Sequence, residues 1–312
     1  MIITSITGGL GNQLFQYAMG LRLAAHHKTK LLLDTTAYGS QGEQRPEALK
    51  AFARPLALMR FKVSARAATM EEIRSLKDNY GAATTCDRLV RVVRRAAPRF
   101  LWKASHVIER QYRFQPEALD YPDNTYLQGF WQSPKYFADI APVIREEFRP
   151  KDASIVVSAS QRVAELRARH GAVVSLHIRR GDLAHAHEVL GRTDVTHTAP
   201  LTQDYIKAAM SRFSSATCFF VFSDSPKDIE WCKQNIRATN IEFSDASSDM
   251  WDLTAMNCCD HHIIANSTFS WWAAWLDVKG GRTVAPRVWS SPERNLIMET
   301  DDLLPRVWEI LG

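Results

Sequence analysis

The densest group of chemically useful side chains lies in residues 173–183, which read VVSLHIRRGDL. The apolar residues at its start predict a buried strand, and His177, Arg179, Arg180 and Asp182 crowd the end of that strand. A guanidinium group matches two phosphate oxygens at once, and each charge-assisted contact contributes about 1.5–3 kcal/mol. Two arginines at one strand end therefore favour a pyrophosphate site. An ion pair between Arg179 and Asp182 is the alternative that this stretch alone leaves open.

A second run, CFFVFSDSPKDIEW at 218–231, ends a strand at Ser223 and Asp224. The Asp224 carboxylate is suited to accept hydrogen bonds from an N–H-rich base edge such as that of guanine. Ser225 lies three residues before Asp228, a spacing that resembles a capping box. We therefore expect Ser225 to cap a helix rather than to bind a ligand.

A third run, HHIIANSTFSWWAAWL at 261–276, collects polar residues where a strand passes into a helix: Asn266, Ser267, Thr268 and Ser270. Hydroxyls and free backbone N–H groups at a helix start suit an anion. An ordinary N-cap needs only one such residue, so four are a surplus. The tryptophans that follow are interpreted as core packing, and the adjacent histidines point apart on a strand, which argues against a metal site.

A glycine-rich turn, GGLGNQ at 8–13, follows the first predicted strand and precedes a helix. Gly9, Gly11 and Asn12 belong to it, but its spacing is not that of the dinucleotide fingerprint. The chain contains neither a P-loop motif nor an Asp-x-Asp pair that would hold a divalent ion against a diphosphate. Arginines would then have to neutralise any bound diphosphate, with no metal.

Short apolar runs alternate with helical patterns along the chain, which predicts parallel βα units of the α/β class. Helix periodicity after the glycine turn places Leu14, Phe15, Ala18, Leu21 and Ala25 on one face. The segment EEFRPKDAS has the proline and charges of a linker, so we place two domains at residues 1–150 and 151–312. Ligands of such sheets bind beyond the carboxyl ends of the strands, where all the polar groups above lie, and two domains imply a cleft.

The composition is that of an ordinary globular protein of 312 residues, with 46% hydrophobic and 23% charged residues and a net charge of +5. A mildly basic chain is compatible with an anionic ligand. Five cysteines without a Cys-x-x-Cys pair suit a reducing compartment. No signal peptide and no run of about 18 apolar residues is evident, so a cytoplasmic protein is expected.

A basic run, DRLVRVVRRAAPRFLWK, carries its arginines and lysine over residues 88–103. Most such runs are solvated helix faces. Nucleic-acid binding through this run is the alternative from outside enzymology, and contact with a membrane surface is the other.

Five motifs in register are similar to those of the bacterial α-1,2-fucosyltransferases of glycosyltransferase family 11. They are HIRRGD, GGLGNQLFQYA, YLQGFWQSPKYF, FSDS and IIANSTFSWWAAWL, and they span nearly the whole chain. Leu183 and Ser225 depart from the tyrosine and aspartate that members often have there.

The resemblance implies a GT-B architecture, in which two Rossmann-like domains face each other across a cleft. The N-terminal domain, residues 1–150, is expected on the acceptor side, and the C-terminal domain, residues 151–312, is expected to bind GDP-fucose. It implies inverting, metal-independent transfer of L-fucose from GDP-β-L-fucose to the 2-hydroxyl of a terminal galactoside, in oligosaccharide or surface-polysaccharide synthesis at the inner face of the membrane. The expected donor-binding residues are those of the matching motifs: Gly9, Gly11, Asn12, His177, Arg179, Arg180, Ser223, Asp224, Asn266, Ser267, Thr268 and Phe269.

Three residues carry the expected catalysis: Arg179 stabilises the departing diphosphate, and Asp182 or Glu188 removes the proton of the acceptor hydroxyl. The sequence leaves the choice of base open. It also leaves open a transferase of another GDP-sugar or linkage, and a GDP-sugar sensor without chemistry. The galactoside itself and the oligomeric state are not determined.

Overall fold

The computed structural model describes residues 1–39, 55–77, 104–180, 201–289 and 301–312. The chain forms two compact units. The first contains Met1–Ala57 and Val63–Ala141, and the second contains Leu58–Lys62 and Pro142–Gly312.

The first unit contains a five-stranded parallel sheet with the strand order β3-β2-β1-β5-β4. Its strands are β1 (Ile2–Ser5), β2 (Leu31–Asp34), β3 (Arg66–Ala67), β4 (His106–Ile108) and β5 (Thr125–Gln128). Its helices within the described residues are α1 (Leu10–His26) and α2 (Met70–Leu76). The predicted apolar face of α1 is buried as far as Leu21, but Ala25 is exposed because it lies in the last turn.

The second unit contains a six-stranded parallel sheet with the order β11-β10-β9-β6-β7-β8. Its strands are β6 (Val173–Ile178), β7 (Cys218–Ser223), β8 (Ile241–Phe243), β9 (His261–Ile263), β10 (Thr283–Pro286) and β11 (Glu309–Leu311). From the unit boundary onward, the described residues form the helices α3 (Ala141–Glu147), α4 (Ala153–His170), α5 (Gln203–Met210), α6 (Pro226–Asn235), α7 (Asp249–Cys258) and α8 (Thr268–Leu276). Two parallel sheets with helices are the components of the GT-B architecture, and the predicted α/β class is confirmed.

The boundary between the units falls after Ala141, whereas the sequence analysis places it near residue 150. The reason lies in Phe148, which is buried and packs its ring against Phe61 and Trp272 inside the second unit. Burial of a phenylalanine side chain stabilises a fold by about 1.5–3 kcal/mol. The proline and charges around residue 150 therefore flank a packed segment. Pro150 itself forms a β-bridge with Phe61.

Each sheet has one place where the chain reverses the direction in which it adds strands. In the first sheet, β2 and β3 lie on one side of β1, and β5 and β4 lie on the other. In the second sheet, β7 and β8 lie on one side of β6, and β9 to β11 lie on the other. Connections leave such a pair of strands in opposite directions and open a crevice at their carboxyl ends, where α/β proteins bind ligands. The expected crevices therefore lie beyond β1 and β5, and beyond β6 and β9.

No helix among the described residues is long and apolar enough to cross a membrane.

Candidate functional site

Strand β6 delivers the predicted arginines to the crevice of the second sheet. All six of its residues are buried, and it pairs in parallel with β7 on one side and β9 on the other. Arg179 and Arg180 follow directly and are half-buried. A charged side chain is tolerated at such a position only where it is paired or solvated.

Arg179 crosses from the end of β6 to the start of α8. Its Nη1 donates a hydrogen bond of 3.4 Å to Ser267 Oγ. Ser267 is the N-cap of α8, and the same hydroxyl oxygen accepts the N–H of Phe269 at 3.3 Å. Because both oxygen lone pairs are used in this way, the O–H is the part of Ser267 that can donate to a ligand.

The start of α8 is electropositive for two independent reasons. The helix N-terminus carries a partial positive charge and backbone N–H groups without an intrahelical acceptor. The Arg179 guanidinium adds a full positive charge beside it. Two positive groups this close stabilise a bound anion more than either does alone, so the arrangement suits a phosphate or diphosphate.

His177 lies on the same face of β6 as Arg179, as strand alternation predicts. Its Nδ1 is 2.9 Å from Ser270 Oγ, and its ring centroid is 5.8 Å from that of Phe269. Burial lowers the pKa of His177 to about 4, and Arg179 adds to the effect. His177 is therefore a neutral hydrogen-bonding group near pH 7.

Ser270 does not contribute to the surplus of polar groups that the sequence suggested for anion binding. Its hydroxyl oxygen is buried, accepts the N–H of Ala265 at 3.2 Å and bonds to His177. Ser270 thus holds the strand-to-helix turn and the imidazole together. Asn266 is also buried, while Thr268 and Phe269 are half-buried.

Arg180 lies on the opposite side of the strand end and is held by α6. Its guanidinium carbon is 3.7 Å from the centroid of the Trp231 ring, and its Nε is 3.6 Å from Asp228 Oδ1. A cation over an aromatic face gains about 0.5–2 kcal/mol. The structure therefore separates the two arginines, with Arg179 at α8 and Arg180 at α6.

Asp224 joins the ends of β6 and β7, since its Oδ2 accepts the backbone N–H of Arg180 at 2.8 Å while its side chain is exposed. Ser223 is buried and donates to the carbonyl of Ile178 at 2.7 Å, which assigns it a structural contact. The prediction that Ser225 caps α6 is confirmed, because its hydroxyl accepts the N–H of Asp228.

The glycine-rich turn lies at the crevice of the first sheet. Gly8 has φ +78°, which strains any residue other than glycine, and a Cβ there would lie 2.9 Å from Asn12 Nδ2 and displace that carboxamide. Gly9 is the N-cap of α1, and its carbonyl accepts the N–H of Asn12 at 3.0 Å. Gly11 is buried in the first turn. From the segment after β5, Gln132 Nε2 donates to Asn12 Oδ1 at 2.9 Å.

The sequence analysis missed two buried glutamines that hold this turn. Gln13 bonds to the carbonyls of Gly8 and Pro55, and Gln16 bonds to Thr7 and to the carbonyl of Gly129. The available signal was a pair of amides, about one helical turn apart, among the apolar residues of α1. Buried amides of this kind are expected to be fully hydrogen-bonded.

Glu109 was also missed, and no motif marks it. Its carboxylate accepts the backbone N–H groups of Phe130 at 2.6 Å and Trp131 at 3.0 Å. Burial raises the pKa of Glu109 to about 7, although the two backbone hydrogen bonds oppose the shift.

Several expectations fall outside the described residues. Asp182 and Glu188, the two candidate bases, lie there, as does the basic run at 88–103. Within the described ranges, no group of three or more His, Cys, Asp or Glu side chains is arranged to hold a metal ion.

Comparison with known proteins gives a match over almost the full chain. The model of the family described as glycosyl transferase family 11 matches residues 1–309. An alpha-1,2-colitosyltransferase of Escherichia coli is 28% identical over 327 residues, which cover 99% of this chain and 98% of that protein.

Two further relatives are more partial or more distant. Galactoside alpha-(1,2)-fucosyltransferase 1 of Saimiri boliviensis boliviensis is 30% identical over 167 residues, or 51% of this chain and 44% of that protein. The solved structure of the fucosyltransferase NodZ from Bradyrhizobium aligns with 87% of this chain and 91% of its own, at 14% identity and a TM-score of 0.43. Likeness at that level carries no conclusion about chemistry.

Proposed function

This chain belongs to glycosyl transferase family 11, and on that premise we propose that it transfers L-fucose from GDP-β-L-fucose to the 2-hydroxyl of a terminal galactoside. The observation that carries the proposal is the contact between Arg179 and Ser267 at the crevice of the second sheet. A guanidinium and a helix N-terminus at one point suit a sugar-nucleotide diphosphate.

The proposed reaction breaks the bond between fucose C1 and the diphosphate oxygen while the acceptor hydroxyl attacks from the opposite face. Negative charge grows on the departing GDP. Arg179 meets that charge from a fixed position, so it stabilises the transition state more than the ground state. The acceptor proton passes to a carboxylate, for which Asp182 and Glu188 are the candidates.

The remaining donor contacts are proposed from the matching motifs, and the positions of the side chains support them. His177 lies beside Phe269, and its buried, neutral imidazole is proposed to lie against the guanosine part of the donor. Asp224 is exposed at the neighbouring strand end, where its carboxylate can accept from the guanine edge. Arg180 contributes positive charge from its place over Trp231.

The test is an acceptor screen with GDP-fucose, carried out without added metal and with a chelator. We expect a fucosylated galactoside whose linkage, determined by NMR, is α-1,2. GDP-mannose serves as the competing donor. Absence of transfer to every galactoside, or a strict requirement for magnesium or manganese, would overturn the proposal.

A second candidate donor is colitose, because the relative that matches 99% of this chain is named as a colitosyltransferase. Nucleotide-activated colitose and GDP-fucose should therefore be compared at equal concentration. A higher kcat/KM with colitose would assign this chain to that donor.

The nucleic-acid alternative is tested by binding measurements. Both transferase candidates predict saturable binding of GDP, whereas the alternative predicts salt-dependent binding of RNA or DNA.

A further inference from the structure

The first sheet has its own crevice, and two segments meet there. The glycine-rich turn follows β1, and residues 129–132 follow β5. These are the two strands between which the strand order reverses. The hydrogen bond from Gln132 to Asn12 joins the segments at this point. By the rule that locates ligands in α/β sheets, this crevice is a binding position in its own right.

The segment after β5 is held in an uncommon conformation. Trp131 has φ +55°, although it is not glycine and its side chain is fully buried. A residue with a bulky side chain adopts positive φ only where the surrounding contacts hold it there. Such residues concentrate at binding sites. The ring of Trp131 packs edge-on against Tyr121 and Tyr136, and these contacts fix the position of the indole.

Glu109 fixes the same segment from β4. Its two carboxylate oxygens accept the N–H groups of Phe130 and Trp131 separately, so consecutive amides are held by one side chain. A Cβ at Gly129 would lie 2.4 Å from Glu109 Cβ, so the chain passes against the glutamate only because residue 129 is glycine. The position of Phe130 therefore depends on Glu109.

The held segment presents an aromatic pair. The ring of Phe130 is nearly parallel to that of Tyr112, with 14° between the planes and 6.2 Å between the centroids. Both residues are half-buried, so part of their surface is accessible. Aromatic faces bind the apolar C–H face of a pyranose ring. The neighbouring carboxamide of Gln132 has both donors and an acceptor, as sugar hydroxyls require.

We propose that Phe130 and Tyr112 form the platform on which the pyranose ring of the acceptor lies, with Gln132 bonding to its hydroxyls. Glu109 is the positioning residue that holds Phe130 in place. This inference rests on the proposed function, because it names the acceptor subsite of that same reaction. It agrees with the expectation from the family resemblance that the N-terminal domain binds the acceptor.

The first experiment measures sugar binding and turnover separately, with lactose as the probe. Lactose binding is followed by saturation-transfer NMR, and KM for lactose is measured with saturating GDP-fucose. Phe130→Ala should weaken lactose binding about tenfold and raise the KM for lactose by a similar factor, which corresponds to the loss of one aromatic contact. Phe130→Tyr keeps an aromatic ring face, so its lactose binding and its KM for lactose should stay close to the wild-type values. The Kd for GDP should not change in either variant.

The second experiment tests the positioning role. Glu109→Gln places an amide N–H₂ against one of the two backbone donors, so one of these hydrogen bonds is lost. Hydrogen exchange of the amides of residues 130 and 131 should accelerate. KM for lactose should rise while kcat at saturating lactose stays within about twofold, a split that general destabilisation would not produce. Glu117→Gln is the control, since Glu117 is an exposed carboxylate of the same unit.

The outcomes distinguish this inference from the proposed function. If Phe130→Ala and Tyr112→Leu both transfer fucose with an unchanged KM for lactose, the proposed platform is wrong and the proposed function is unaffected. Lactose binding that is lost in Phe130→Ala, with no transfer from GDP-fucose in the wild-type protein, would overturn the function and leave the platform standing. A wild-type protein that neither binds nor fucosylates any galactoside would overturn both.

Discussion

Arg179 and Ser267 meet where the second sheet reverses its strand order, with Arg179 Nη1 3.4 Å from Ser267 Oγ. They are far apart in sequence and are brought together because β6 and β9 are neighbours. The contact places a full positive charge at a helix N-terminus, an arrangement that is stabilised by an anion. The proposed mechanism depends on this pair.

Arg179→Lys should reduce kcat for fucose transfer by about 100-fold or more, the cost of losing one preorganised donor. An ammonium group keeps the charge but lacks the planar fork that spans two phosphate oxygens. Steady-state kinetics with GDP-fucose test this. Arg149→Lys is the control, since Arg149 is an exposed residue paired with Glu146. Near-wild-type turnover in Arg179→Lys would remove the clamp from the mechanism.

Arg180→Lys should reduce kcat less than Arg179→Lys does. Arg180 is packed over Trp231 and pairs with Asp228, so its guanidinium is committed to α6. We expect this variant to lose stability, because an ammonium covers less of the indole face. Thermal unfolding and kcat measured on both variants test the contrast. A larger kcat loss for Arg180→Lys would reverse the assignment of the two arginines.

The identity of the base is tested by pH–rate profiles of Asp182→Asn and Glu188→Gln. The variant that lacks the base should lose the acidic limb of kcat/KM, because no carboxylate then remains to be protonated on that limb. The other variant should keep it. An unchanged limb rules out the residue that was replaced, and two unchanged limbs would place the base elsewhere.

The free energy of unfolding should decrease as the pH is lowered, because of His177. Its folded-state pKa is about 4, below the usual value of 6.5, so the unfolded chain binds the proton more readily in that interval. The contribution is fully present above pH 6.5 and is lost as the pH falls towards 4, by up to about 1.4 kcal/mol per pH unit. His262, whose pKa is lowered by burial, acts in the same direction.

Urea unfolding of the wild-type protein and His177→Gln, measured over pH 7.5 to 5, tests this expectation. The free energy of unfolding should depend less steeply on pH in the variant, and the dependence due to His262 should remain. Equal slopes in the two proteins would mean that His177 binds protons equally in the folded and unfolded states, so that folding does not lower its pKa.

Gly8→Ala and Gly280→Ala form a matched pair. Both glycines have positive φ, at +78° and +76°, so both variants should lose about 1–2 kcal/mol of stability through backbone strain. Only at Gly8 would the new Cβ meet a neighbour, Asn12 Nδ2 at 2.9 Å, whereas nothing lies within 4 Å at Gly280. Gly8→Ala should therefore also raise the KM for GDP-fucose or for the galactoside. Equal kinetics in the two variants would mean that the turn does not contribute to binding.

Local patterns were enough to predict much of the second unit. The strands in VVSLHI, CFFVFS and HHIIAN, the cap at Ser225 and the core packing of Trp271 and Trp272 are confirmed, while Trp275 is half-buried. Each depends on the apolar pattern or hydrogen bonding of a few consecutive residues. The short strands β3, β4, β5, β8 and β11 were not predicted, since polar residues occupy part of each strand and leave no clear apolar run.

The sequence by itself determined the α/β class, the family resemblance and the polar residues at the strand ends. Strand alternation also placed Arg179 and Arg180 on opposite faces. Only the tertiary structure decided their partners, Ser267 for one and Trp231 for the other, and it alone revealed Glu109 beneath Phe130 and Trp131. The reason is physical: periodicity is a property of neighbours along the chain, whereas strand order decides which distant residues share a crevice.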